Sequence, residues 1–233
     1  MTPQKKHYKL VITIVKKKQA NKVVAAAKRG GAEGGTILLG SGLGIREKES
    51  FFGIDLMYEK EIVLTLIPED RVSAVLDQIN QSAKLYKKGT GLGLVLDVVA
   101  VRGIVHSRLD LDLDEEALDM TTDHAQFELI VTIVNKGDAG IVIDASKKGG
   151  AEGGTILSGR GSGIHEQAKL LSMIIEPEKE IVLTLVTREN VKKVLHSIEE
   201  EANLNQPGKG IAFILPVEET IGINHEMKRG TEE

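Results

Sequence analysis

The chain has 233 residues, with 30 lysines plus arginines against 34 aspartates plus glutamates, a net charge of -4, no cysteine and 3% aromatic residues. The mixed charge gives no basic stripe for nucleic acid, the missing cysteine excludes disulfides and thiolate metal sites, and the scarce aromatics leave few platforms for stacking bases. Hydrophobic residues still make up 41%, so the cores must be built from Val, Ile, Leu and Ala.

His7 to Val15 is rich in β-branched residues, stops at Lys16-Lys17-Lys18 and predicts a first strand. A helix follows, because Ala20, Val23, Val24 and Ala27 fall on one face and Gly30-Gly31 can end it with a left-handed turn. Gly35 to Leu39 predicts a second strand, Gly40 to Tyr58 a long loop, and Lys60 to Ile67 a third strand. Pro68 opens a second helix with Val72, Val75, Leu76, Ile79 and Ala83 on one face, and Gly89-Thr90-Gly91 turns into a fourth strand, Leu92 to Val101.

The order then repeats. Shifting the sequence by 119 positions superposes Gly30-Gly31-Ala32-Glu33-Gly34-Gly35-Thr36-Ile37-Leu38 on an identical run beginning at Gly149, with further ungapped matches in the first and third strands. The chain therefore reads as two copies of one unit, residues 1–106 and 126–233, joined by an acidic linker at 107–125. Asp138 is the expected N-cap of the second copy's first helix. Asp110, Asp112 and Asp114 alternate in the linker, but no turn glycine accompanies them, so a solvated segment is expected rather than a calcium loop. Each copy reads β-α-β-β-α-β, an α+β ferredoxin-like unit with two helices on one face of a four-stranded antiparallel sheet. The other face needs a cover, supplied by another copy in cis or in trans. Pro216, Glu218 and Glu219 interrupt the end of the second copy, which is expected to be the less stable. No apolar run reaches the roughly 18 residues of a membrane helix and Met1 to Lys9 lacks the apolar core of a signal peptide, so a cytoplasmic protein without membrane insertion is expected.

With this order in hand, each half resembles the P-II signal-transduction proteins, the small trimeric regulators of nitrogen and carbon metabolism. The Gly-x-Gly at the base of the family's T-loop matches Gly42-Leu43-Gly44 and Gly161-Ser162-Gly163, and the lysine at the far base matches Lys60 and Lys179. The B-loop Gly-x-Gly matches Gly89-Thr90-Gly91 and Gly208-Lys209-Gly210. The resemblance implies a non-enzymatic regulator whose clefts hold an adenine nucleotide (AMP, ADP or ATP) between units, and whose T-loop grips an unidentified protein target. It also implies a homotrimer of two-unit chains. The physical chemistry agrees, since successive glycines let backbone N–H groups approach phosphate oxygens and a lysine neutralises them.

The departures narrow the ligand. The lysine after the B-loop is Leu92 and Ile211, and the Arg-x-Arg ending the fourth strand is Gly103-Ile104-Val105 and Gly222-Ile223-Asn224. Arg46 and His165 stand where the family has the Gln that helps hold magnesium and 2-oxoglutarate. Arg46 and Arg102 are candidates to restore some positive charge. Two other classes compete: a ligand-free interaction scaffold, and a divalent metal-binding protein of the CutA type, which shares the fold. No recurring triad or carboxylate pair suggests an enzyme.

Overall fold

The computed structural model describes residues 7–42, 50–51, 54–55, 58–103, 126–162, 168–170, 173–175, 177–218 and 220. The linker and the positions of Gly44, Arg46, Gly163 and His165 lie outside the described residues.

In the first unit β1 (Tyr8–Lys16), α1 (Ala20–Arg29) and β2 (Gly35–Gly42) are followed by a short ribbon of β3 (Ser50–Phe51) and β4 (Ile54–Asp55), then by β5 (Tyr58–Pro68). A single 3-10 turn, Glu69–Arg71, leads into α2 (Val72–Ala83), and β6 (Gly91–Val98) and β7 (Ala100–Arg102) complete the set. The second unit repeats it: β8 (Phe127–Asn135), α3 (Ala139–Gly149), β9 (Thr155–Ser162), the ribbon β10 (Ala168–Leu170) with β11 (Met173–Ile175), β12 (Glu178–Thr187), α4 (Val191–Glu201) and β13 (Gly210–Pro216). Each unit has the antiparallel strand order of a ferredoxin-like fold, β6-β1-β5-β2 and β9-β12-β8-β13.

The repeated nine-residue run needs its glycines for local reasons. A Cβ on Gly30 would lie 2.6 Å from the Val75 Cα, and one on Gly149 2.5 Å from the Val194 Cα, so in each unit this glycine lets the two helices touch. The next residue, Gly31 or Gly150, takes φ of +105° or +108° to leave the helix. Val11, Val23, Ile37, Val63, Val75 and Ile79 form the core under the first helix pair, and Ile130, Val142, Val182, Val194 and Ile198 that under the second.

Two strands join the units. β2 pairs antiparallel with β9, Gly35 opposite Ser162 and Leu38 opposite Gly159, which fuses the halves into one nine-stranded sheet. A Cβ on Gly159 would meet the Ile37 carbonyl oxygen at 2.9 Å, so the seam needs a glycine there. At the other end the expected fourth strand is broken: β6 stops at Val98, and β7, beginning two residues later, pairs with β13 of the second unit. Two residues span about 7 Å, so the opposite edges of the sheet lie side by side there. The sheet is therefore rolled, and its inner face holds a third core to which Leu10, Val131, Ile133, Ile181 and Phe213 contribute. The cover expected for the open sheet face is thus supplied in large part in cis.

The roll gives the two fourth strands different surroundings. β13 is flanked by β8 and β7 and its centre is buried, whereas β6 ends the sheet and is exposed from Gly91 to Asp97. Pro216 sits at the last pair of β13, opposite Glu128, where a missing N–H costs little. The expected N-cap is corrected as well: Asp138 makes no side-chain cap bond, and the first turn of α3 is closed from β12 by Glu180, whose Oε2 accepts the Gly137 and Ala139 N–H groups at 3.0 Å each. In the first unit Glu61 accepts the Ala20 N–H at 2.8 Å.

Candidate functional site

The strand register collects the singled-out motifs at one end of each unit. Lys60 on β5 lies opposite Gly40 on β2 and Lys16 on β1, and the next residue of β1, Val15, lies opposite Gly91 at the mouth of the B-loop. Gly42 ends β2 two rows further out, opposite Tyr58. The second unit has the same arrangement: Lys179 opposite Gly159 and Asn135, and Val134 opposite Gly210. The lysine at the T-loop base and the B-loop glycines are therefore separated by one strand in both units.

The B-loop glycines have different jobs. Gly91 and Gly210 take φ of +150° and +151°, and an added Cβ would lie 2.3 Å from the Ile14 oxygen or 2.5 Å from the Ile133 oxygen, so both are required by packing. Gly89 and Gly208 take φ of +76° with open space around the Cβ position, and both are exposed. Thr90 directs its hydroxyl inward: Oγ1 sits 2.9 Å from the Lys84 oxygen and 2.7 Å from the Lys87 oxygen, its single hydrogen serving carbonyls at the end of α2. Lys209, its counterpart, is exposed.

The two ends differ in charge. In the second unit the buried Lys179 ammonium donates to Asn135 Oδ1 at 2.7 Å, and Asn135 Nδ2 donates to the Gly208 carbonyl at 3.1 Å. This chain of bonds ties the T-loop base to the B-loop. In the first unit the position of Asn135 is held by Lys16, directly opposite Lys60, and the turn before Gly89 carries the exposed Lys87 and Lys88 where the second unit has Gln206 and Pro207. The ladder thus places two cationic side chains directly opposite each other at this end of the first unit, where the second unit has one lysine and an amide. In the sequence Lys16 reads only as a strand boundary and Asn135 does not stand out; the signal for both is their shared position in the repeat, one strand away from each T-loop lysine.

Two other residues serve the junction between units. Gly161 donates its N–H to the Pro177 oxygen at 3.0 Å and lies opposite Thr36 in the β2–β9 seam. Arg102 Nε donates to Glu199 of α4 at 3.1 Å, so its charge is engaged in holding β7 against the second unit. The neighbouring Gly103, at the first position of the family's Arg-x-Arg, presses on the second unit's B-loop: a Cβ there would lie 2.3 Å from the Gly210 oxygen. The B-loop of the second unit is therefore bordered by the tail of the first. Glu33 and Glu152 are exposed.

Among the described residues no three or more His, Cys, Asp or Glu side chains are grouped to hold a metal ion, and no helix is long and apolar enough to cross a membrane. Comparison with protein families matches this chain twice to the family described as nitrogen regulatory protein P-II, over residues 8–108 and 127–227. A search of curated proteins returned no match.

Proposed function

Because the chain belongs to the nitrogen regulatory protein P-II family, we propose that it is a non-enzymatic regulator of nitrogen or carbon metabolism that binds a small anionic ligand, an adenine nucleotide, and passes its state to a protein target. The observation that supports this most is the juxtaposition of Lys60, Lys16 and the Gly89-Thr90-Gly91 turn across adjacent strands. In this reading the exposed Gly89 and Gly208 offer backbone N–H groups to phosphate, Lys60 and Lys179 supply charge, and the motifs of Gly42 with Gly44 and Gly161 with Gly163 mark the two T-loop bases. Arg46 adds a charge in the first copy. The functional units are residues 1–106 and 126–233, with 107–125 as linker. Three chains close into one assembly of six units, following the trimeric habit of the family, and work in the cytoplasm.

Charge then sets the preference among nucleotides. With Leu92 and Ile211 in place of the B-loop lysine, and no Arg-x-Arg, a triphosphate carrying about four negative charges meets few cations. Each lost charged hydrogen bond is worth about 1.5–3 kcal/mol, so three of them weaken ATP by several orders of magnitude. Titration calorimetry should find ATP binding absent or much weaker than AMP or ADP binding, and Lys60→Ala with Lys179→Ala should abolish the remainder. Tight ATP binding that survives the double substitution would remove the site from the reading.

A second reading applies to the second unit alone. The Lys179–Asn135–Gly208 bonds occupy the groups a ligand would use, which favours a scaffold role for that unit. Lys60→Ala alone would then abolish binding, and Lys179→Ala would leave it unchanged.

A further inference from the structure

The two units close the turns at their B-loop end with the same backbone bonds and decorate them differently. Between β1 and α1 the Gln19 N–H donates to the Lys16 oxygen at 3.2 Å, and in the second unit Asp138 donates to Asn135 at 3.1 Å. Between α2 and β6 the Leu85 N–H donates to Asn80 at 3.1 Å and the Lys87 N–H to Lys84 at 2.8 Å. Leu204 to Glu199 at 3.0 Å and Gln206 to Asn203 at 2.9 Å are the matching bonds. The exposed side chains do not match. Lys16, Lys17 and Lys18 stand where the second unit has Asn135, Lys136 and Gly137. Lys84, Tyr86, Lys87 and Lys88 stand where it has Asn203, Asn205, Gln206 and Pro207.

Two of these lysines hold a conformation that other residue types suit better. Lys18 takes φ of +70° and Lys84 φ of +56°, in the left-handed region where a side chain crowds the backbone. The second unit has Gly137 at +98° and Asn203 at +54°, the residue types that enter this region most readily. Folding therefore does not ask for lysine at either position. Strand pairing brings the lysines to one end: Lys16 lies opposite Lys60, Val15 lies opposite Gly91, and the Lys17 N–H donates to the Glu59 oxygen. Residues 16–19, 59–60 and 84–90 carry seven lysines against the one carboxylate of Glu59, a net of +6 in a chain of net charge -4. The matching residues 135–138, 178–179 and 203–209 carry three lysines against Asp138 and Glu178. Charges that are mixed along the sequence are thus separated by the fold.

We infer that this end of the first unit docks on the anionic surface of a lipid bilayer, without crossing it. A negatively charged leaflet attracts basic clusters of this size, each lysine near the surface adding about five-fold in affinity. Apolar groups at the same end select a bilayer over other polyanions. Tyr86 is 66% exposed and Leu92, which follows Gly91, is 49% exposed, whereas their counterparts are Asn205 and the half-buried Ile211. A tyrosine ring and a leucine gain by entering the boundary between headgroups and acyl chains; an acidic peptide or a nucleic-acid backbone offers them no apolar layer.

Sedimentation with lipid vesicles tests the inference on the full chain. Vesicles of phosphatidylcholine with about 30% phosphatidylserine should carry the protein down, and vesicles of phosphatidylcholine alone should leave it in solution. Lys18→Gly with Lys84→Asn installs the second unit's residues, so it should weaken vesicle binding about 25-fold while the melting temperature stays at or above that of the wild type. Lys147→Gln with Lys193→Gln, at exposed lysines on the helices of the second unit, removes the same charge and should leave binding unchanged. Lys18 and Lys84 lie outside the proposed nucleotide site, so nucleotide binding should survive in the first variant and the two readings fail separately. A wild type that ignores anionic vesicles overturns the inference, as does a Lys18→Gly, Lys84→Asn variant that still binds them. An equal loss in both double variants would show a response to net charge alone and overturn it too. Capture of poly-glutamate or single-stranded RNA, with anionic vesicles left unbound, would assign the cluster to another class of partner and also overturn it.

Discussion

Arg160 of the second unit donates from Nη2 to Oε1 of the buried Glu61 of the first at 3.0 Å, across the seam where β2 meets β9. The same carboxylate uses Oε2 to accept the Ala20 N–H at 2.8 Å. One side chain thus caps α1 and clips the two units together. The clip is not reciprocal: Glu180, the counterpart of Glu61, closes α3, but the counterpart of Arg160 is Ser41.

Arg160→Ser should therefore destabilise the chain by about 1–3 kcal/mol, the worth of a hydrogen bond to a charged group whose partner is left buried. Urea denaturation followed by circular dichroism measures it. Glu61 keeps its bond to Ala20, so the loss should stay below that of Glu61→Ala, which also uncaps α1. A change within a few tenths of a kcal/mol for Arg160→Ser would mean that the seam is held by its backbone ladder alone.

The B-loop glycines separate folding from binding. Gly91→Ala and Gly210→Ala place a Cβ within 2.3 Å or 2.5 Å of a carbonyl oxygen at positive φ, so each should cost more than about 3 kcal/mol or prevent folding. Gly89→Ala and Gly208→Ala meet open space and carry only the strain of the left-handed backbone, about 1 kcal/mol. The latter pair should melt a few degrees lower and remain folded. If Gly91→Ala melts like Gly89→Ala, the close approach to Ile14 is not enforced in solution.

Much of this architecture is legible in the amino-acid sequence, for identifiable reasons. The helix faces, Val75 and Ile79 or Val194 and Ile198, announce themselves by spacing, and the 119-residue repeat supplies a second reading of every element. The pairing of β2 with β9 is not legible, because an edge-to-edge register between distant strands leaves no local period; only Gly159 and Gly161 hint at it. The break at Val99 is hidden too, since Leu92 to Val101 is largely apolar and the chain crosses to another strand without a glycine or proline. Pro216 and two glutamates make the second unit look weaker by local rules, yet β7 covers its last strand. At the site, the T-loop lysines and B-loop glycines are visible as motifs. Lys16 and Asn135 are not, because their importance lies in being opposite Lys60 and Lys179 on a neighbouring strand.

Four buried threonines carry hydroxyls without a hydrogen-bond partner among the described residues: Thr13 and Thr65 in the first unit, and their counterparts Thr132 and Thr184 in the second. An unpaired buried hydroxyl forfeits its hydration, at about 1–3 kcal/mol, and valine has nearly the same shape without that cost. Thr13→Val and Thr132→Val should each leave stability unchanged or raise it by about 1 kcal/mol, read as a rise of a few degrees in the melting temperature. A loss of more than about 1 kcal/mol would instead reveal an internal water held by these hydroxyls.

The strongest pH dependence should come from Glu128. Its place in the first unit is held by Lys9, which pairs with Glu69 and Asp97; shifted by the repeat, those partners become Arg188 and Pro216, so the charges are exchanged and one partner is lost. Glu128 is fully buried, neither carboxylate oxygen has a hydrogen bond among the described residues, and Arg188 Nε stands 3.8 Å away. Burial pushes the carboxyl above the usual range, and the Arg188 charge opposes this only in part. A carboxyl with a raised folded-state pKa binds its proton more tightly when folded. Its contribution is therefore intact below the unfolded value of about 4.3, and is lost as pH rises through the folded value. Glu128→Gln, which cannot ionise, should match the wild type near pH 4 and become more stable than it by about 1–3 kcal/mol as the pH rises through the raised value. Urea titrations of both proteins at several pH values between about 4 and 8 give the difference directly. A difference that instead favours the wild type increasingly as pH rises would show that the Arg188 pair outweighs the burial of the carboxylate.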